Sequence, residues 1–110
     1  MDLATNCYRI TAAFPKEELY GLTSQIRRAA VSVPSNIAEG NGRENTGAYI
    51  QFLRVAQGSL KELETQLLLA SRIGVTDQDR SGPLLDECEE IGKMLRSLIR
   101  SLQAKIEREA

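Results

Sequence analysis

Apolar residues recur along the chain at alternating steps of three and four, the spacing that stacks side chains on one face of an α-helix. Leu3, Cys7, Ile10 and Phe14 form the first stripe. Pro15 stops it, because proline has no amide donor and its ring clashes with a preceding turn. Glu17 and Glu18 then stand where the positive end of a second helix favours acids. The second stripe is Leu19, Leu22, Ile26, Ala29, Val33 and Ile37, and it crosses Pro34. The expectation is a helix kinked at Pro34 rather than broken, with Ser32 and Ser35 placed to occupy the freed backbone groups. Gly40, Asn41 and Gly42 tolerate positive φ and end it.

The third stripe, Tyr49, Leu53, Ala56, Leu60, Leu63, Leu67 and Ala70, keeps heptad spacing through a helix expected from about Thr46 to Ile73. Such a segment is roughly 40 Å long and requires long partners. Gly74 ends it. Val75 to Pro83 reads as a polar connection, after which Leu84, Cys88, Ile91, Leu95, Leu98 and Leu102 mark a last helix reaching Ile106. No segment alternates with period two. The predicted fold is all-α, an antiparallel up-and-down four-helix bundle with its first helix the shortest.

The third helix carries more apolar surface than one seam needs. Ile50 and Leu68 project from one flank, and Phe52, Val55, Leu69 and Ile73 from the other. A bundle helix normally keeps a polar side for water, so Phe52, Val55, Leu69 and Ile73 are read as a subunit interface. Gly58 lies mid-helix at a cost of up to about 1 kcal/mol relative to Ala, which close approach by another helix would offset.

The length of 110 residues supports one domain, spanning 1–110. With 14 basic and 15 acidic side chains the net charge is −1, so attraction to nucleic acid requires a local patch. Histidine is absent, which removes the commonest general base, the usual zinc nitrogen ligand and the Glu-x-x-His pattern of two-metal bundles. No catalytic, cofactor or metal site is expected. Cys7 and Cys88 lack C-x-x-C spacing, stand on apolar stripes and read as reduced core thiols in the cytoplasm. No stretch approaches the roughly 20 apolar residues of a membrane span.

Candidate chemistry is confined to cations. Arg27, Arg28, Arg54 and Lys61 project away from the apolar stripes, and Arg outnumbers Lys ten to four. The planar guanidinium fork grips two phosphate oxygens at once. Glu39 and Arg43, four residues apart, suit an exposed ion pair across a turn. The few aromatic residues are scattered, which argues against a base-stacking platform.

The stretch from Phe14 to Gly42, FPKEELYGLTSQIRRAAVSVPSNIAEGNG, resembles the bacterial four-helix bundle proteins named for 23S rRNA intervening sequences. The block from Phe52 to Leu67, FLRVAQGSLKELETQL, resembles the third helix of the same family. The resemblance implies a non-enzymatic homo-oligomer, a ring most often of five subunits, acting as a scaffold or adaptor. A related accessory protein of diversity-generating retroelements binds nucleic acid and a reverse transcriptase. RNA or DNA contact is thereby implied here, through the matching Arg27, Arg28, Arg43 and Arg54 repeated around a channel. That relative is strongly basic, whereas this chain has a pI near 5.5. The alternative is a protein–protein interaction module with no nucleic-acid role, docking its partner through a helix groove or the ring surface.

Overall fold

The computed structural model describes residues 2–110. Four helices dominate: α1 (Asp2–Ala12), α2 (Ser24–Asn41), α3 (Thr46–Arg72) and α4 (Gln78–Glu109), with no strand among the described residues. They pack into an elongated body of 52 × 22 × 18 Å.

The passage from α1 to α2 departs from the sequence pattern. Pro15 is followed by a 3-10 turn over Lys16–Glu18 and a wide π-type turn over Leu19–Thr23, so α2 begins only at Ser24. Gly21 leaves helical geometry altogether at φ −103° and ψ −107°. The stripe residue Leu22 still reaches the core at 7% exposure, whereas Leu19 is 48% exposed because it precedes the break.

Further on, α2 passes through Pro34 as one continuous helix. Ser32 does not serve the backbone there, contrary to expectation. Its hydroxyl lies 2.7 Å from that of Ser59 and joins α2 to α3, while the Asn36 amide donates to the Ser32 carbonyl at 2.8 Å. The end of α2 also works differently from the reading above. Gly42 has φ −77°, and Gly74 at φ 82° is the one residue with positive φ among those described. Gly40 is instead buried against α3: a Cβ built there would stand 2.7 Å from the Phe52 Cβ and 2.9 Å from the Tyr49 ring.

The Asn45 carboxamide caps α3, accepting from the Ala48 amide at 2.9 Å. Its far end closes through Gly74, whose amide donates to the Ser71 carbonyl at 3.2 Å while the Val75 amide donates to that of Ala70 at 3.0 Å. These two bonds use carbonyls that the helix end leaves free, and the left-handed backbone at Gly74 permits them. The polar connection that follows is shorter than expected. Asp77 accepts from the Arg80 amide at 2.9 Å and starts α4 at Gln78, leaving Pro83 inside the helix.

Side-chain pairings fix the packing. Ser32 meets Ser59 and Gly40 meets Tyr49 and Phe52, so residue numbers fall along α2 as they rise along α3. Gly92 faces Leu60 and the Cys88 thiol feels the Glu64 charge, so residue numbers likewise fall along α4 as they rise along α3. The Asn6 amide donates to the Glu87 carboxylate at 2.8 Å, and Arg27 reaches back to Thr11, placing α1 between α4 and α2. Ile26, Leu53, Leu60, Leu63, Leu67, Cys7 and Cys88 are fully enclosed. Each large aliphatic side chain among them contributes about 1.5–3 kcal/mol. Ile50, placed on an outer flank by spacing, is buried at 5%. It belongs to the core cluster against which Leu98 and Leu102 of α4 also pack.

Candidate interaction surfaces

The outer side of α3 is the first surface. Val55, Leu69 and Ile73 lie on one flank and are 52%, 47% and 55% exposed, with Leu68 on the opposite flank at 52%. Phe52 is half-buried beneath the Arg43 guanidinium, 5.1 Å from its ring centre. From Val55 to Leu69 the apolar flank spans about 21 Å of helix. Among the described residues nothing packs on Gly58, for a Cβ built there would meet no atom within 4 Å. A second, largely apolar surface is an open trough of about 650 Å³ between α2 and α4, lined by Ile37, Ile91, Met94, Leu95 and Leu98 together with Lys93, Ser97 and Ser101.

The four candidate arginines separate into two groups. Arg43 is tied at 2.7 Å to Glu39 across the α2–α3 turn, as their spacing suggested, and Arg54 stands exposed two turns into α3. Arg27 and Arg28 belong to the opposite end of α2, about 20 Å away along its axis. Arg54 and Arg28 make no hydrogen bond or ion pair among the described residues. Lys61 is 3.7 Å from Glu64.

Arg27 has structural work. Its Nε donates to the Thr11 hydroxyl at 2.8 Å, a terminal nitrogen points at the Tyr8 carbonyl at 3.5 Å, and its plane lies 4.7 Å from the Tyr8 ring centre. The buried Thr11 hydroxyl in turn donates to the Cys7 carbonyl at 2.7 Å, so both of its roles are filled. Around this link runs a groove of about 540 Å³, lined by Tyr8, Leu19, Tyr20, Arg27, Arg28 and Val31 with Thr23 and Ser24. Two tyrosines and two arginines thus converge where the spacing along the chain showed only scatter. The break at Gly21 is responsible, because it turns Tyr20 outward to 93% exposure.

The thiols of Cys7 and Cys88 are wholly buried. Burial pushes Cys7 up to about 12, with the Glu87 charge adding to it. Cys88 is likewise raised to about 12, by burial first and then by Cys7, Glu64 and Glu87, against a lowering by Lys61. Such thiols stay protonated at neutral pH and are poor nucleophiles. Among the described residues no group of His, Cys, Asp and Glu side chains is arranged to hold a metal ion, and no helix is long and apolar enough to cross a membrane.

These features define a small all-helical bundle whose notable chemistry lies on exposed apolar and cationic surfaces. A family model described as 23S rRNA-intervening sequence protein matches residues 1–97, and the chain belongs to that family. The crystal structure of a protein of unknown function from the S23 ribosomal protein family of Bacteroides thetaiotaomicron has the same fold. It superposes with a TM-score of 0.77 at 24% identity, over 87% of each chain. No curated protein matches the sequence.

Proposed function

We propose that residues 1–110 form one non-enzymatic domain that assembles through α3 into a homo-oligomeric ring, five subunits favoured, and serves as a cytoplasmic scaffold. The exposed flank of Val55, Leu69 and Ile73 carries this reading. These side chains lie outside a complete four-helix core, and covering them with a second copy removes apolar surface from water. A second apolar surface on the bundle, the trough at Ile37, Met94 and Leu98, suits head-to-tail association, the arrangement from which rings close. Light scattering of the purified protein tests the assembly: a monomer at micromolar concentration refutes it.

The scaffold also contacts RNA or DNA in this proposal, with Arg27, Arg28, Arg43 and Arg54 repeated around the ring. The guanidiniums of Arg28 and Arg54, which make no hydrogen bond or ion pair among the described residues, support that half. Its signature is an affinity that falls steeply with salt as counterions are released. The alternative, a module that binds only protein, predicts a partner that survives nuclease treatment in a pull-down.

A further inference from the structure

The groove between α1 and the start of α2 combines two guanidiniums, two phenol rings and no carboxylate among its lining residues. We propose that it binds one nucleotide unit of a single-stranded nucleic acid, with Tyr20 stacked on the base and Arg28 on the phosphate. This deepens the nucleic-acid half of the function above and rests on it.

Charge selects the ligand first. The chain carries a net charge of −1, yet this groove presents only cations, and Glu17 and Glu18 in the preceding turn do not line it. A fixed pair of positive charges on a near-neutral protein attracts an anion locally. Arg28 is exposed and makes no hydrogen bond or ion pair among the described residues, so its fork is free to take two oxygens of one phosphate.

The rings select among anions. Tyr20 is 93% exposed, a large apolar face left in water with both sides open. A nucleobase covers such a face whatever its identity, because every base has a π-surface. An acidic peptide would satisfy the guanidiniums but leave that ring without a partner. Arg27 is a positioning residue: its bonds to Thr11 and its stacking over Tyr8 hold the inner wall of the groove rigid. The volume of about 540 Å³ lies within the range of small-ligand sites.

Fluorescence anisotropy with a short labelled polyuridine RNA, its deoxy counterpart and polyglutamate tests the proposal, at roughly 50 and 200 mM salt. The wild-type protein should bind RNA and release it as salt rises. Tyr20→Ala should weaken binding by roughly five- to a hundredfold, the range for loss of one stacked base, while Tyr20→Phe retains it. Arg28→Gln should weaken binding and flatten the log–log salt slope by about one. Both side chains are exposed, so the helical circular dichroism of the variants should match the wild type. Equal binding of the ribo and deoxy strands agrees with the proposal, which invokes base and phosphate alone. RNA binding undiminished in both Tyr20→Ala and Arg28→Gln overturns the groove and leaves the nucleic-acid reading standing. No RNA binding by the wild type at the lower salt overturns both. Polyglutamate that displaces RNA and binds equally well to Tyr20→Ala assigns the groove to an acidic protein instead.

Discussion

Gly40 on α2 and Gly58 on α3 are both helical, yet replacing each with Ala should move stability in opposite directions. At Gly58 a Cβ meets nothing within 4 Å, so the substitution carries only the backbone term. Ala is favoured over Gly in a helix interior by about 0.8–1.0 kcal/mol, and Gly58→Ala should gain that amount in the isolated subunit. At Gly40 the same methyl would stand 2.7 Å from the Phe52 Cβ and 2.9 Å from a Tyr49 ring carbon. Carbon atoms pack best at about 3.5–4.0 Å, so α2 and α3 must separate by roughly an ångström at this point. Neither obstacle is the far end of a flexible chain, since the Phe52 Cβ is fixed to the backbone of α3. Overpacking of this kind costs about 1–3 kcal/mol, and the propensity gain near the end of α2 offsets only part of it. The net expectation is a loss of about 1–2 kcal/mol. Urea titrations at one protein concentration, with equal m-values, measure the difference as a shift in midpoint. A Gly40→Ala midpoint at or above the wild type would show that the interhelical approach is looser than described and refute the reasoning.

Other substitutions address the surfaces and the core. Leu69→Asp places a charge on the exposed α3 flank and should lower the assembled mass in light scattering without changing the helical circular dichroism; unchanged mass removes that flank from the interface. Gln66 is buried at 7% and its Oε1 has no hydrogen-bond partner among the described residues. Gln66→Leu should therefore raise the stability of the subunit by about 1 kcal/mol in urea titration, because an unsatisfied buried acceptor carries a desolvation penalty. The thiols give a pH dependence. Their folded values near 12 exceed the ordinary value of 9.0, so between these limits the unfolded chain releases protons that the native chain keeps. Stability is then fully present below pH 9 and falls as pH rises toward 12. A Cys7→Ala, Cys88→Ala double variant should lose much of this alkaline slope, and an unaltered slope would place its origin elsewhere.

The heptad seam from Tyr49 to Ala70, the glycine stop at Gly74 and the ion pair of Glu39 with Arg43 were all legible in the sequence. Each depends on residues within a few positions of one another, where helix geometry fixes the neighbours in advance. Local chemistry was also decisive at Asp77, but the reading of Val75 to Pro83 as one polar connection concealed it. The capping bond to the Arg80 amide starts α4 earlier, and the proline is carried inside the helix.

What spacing along one helix could not supply was the company each helix keeps. Gly40 read as a turn residue and proved to be a contact point, because only the approach of α3 gives its missing side chain a meaning. Ile50 read as a residue on an outer flank and is buried in the common core, which spacing along its own helix does not reveal. Arg27, one of the candidate phosphate ligands, is bound to Thr11 and Tyr8 of α1, a pairing that spans the loop between the helices. Tyr8 and Tyr20 join Arg28 in one groove only after Gly21 has redirected the chain. Periodicity therefore determined four helices and their inner faces, since a helix repeats by the same rule wherever it stands. Tertiary structure decided which outer residues meet, because contact between helices depends on their lengths, breaks and registers together.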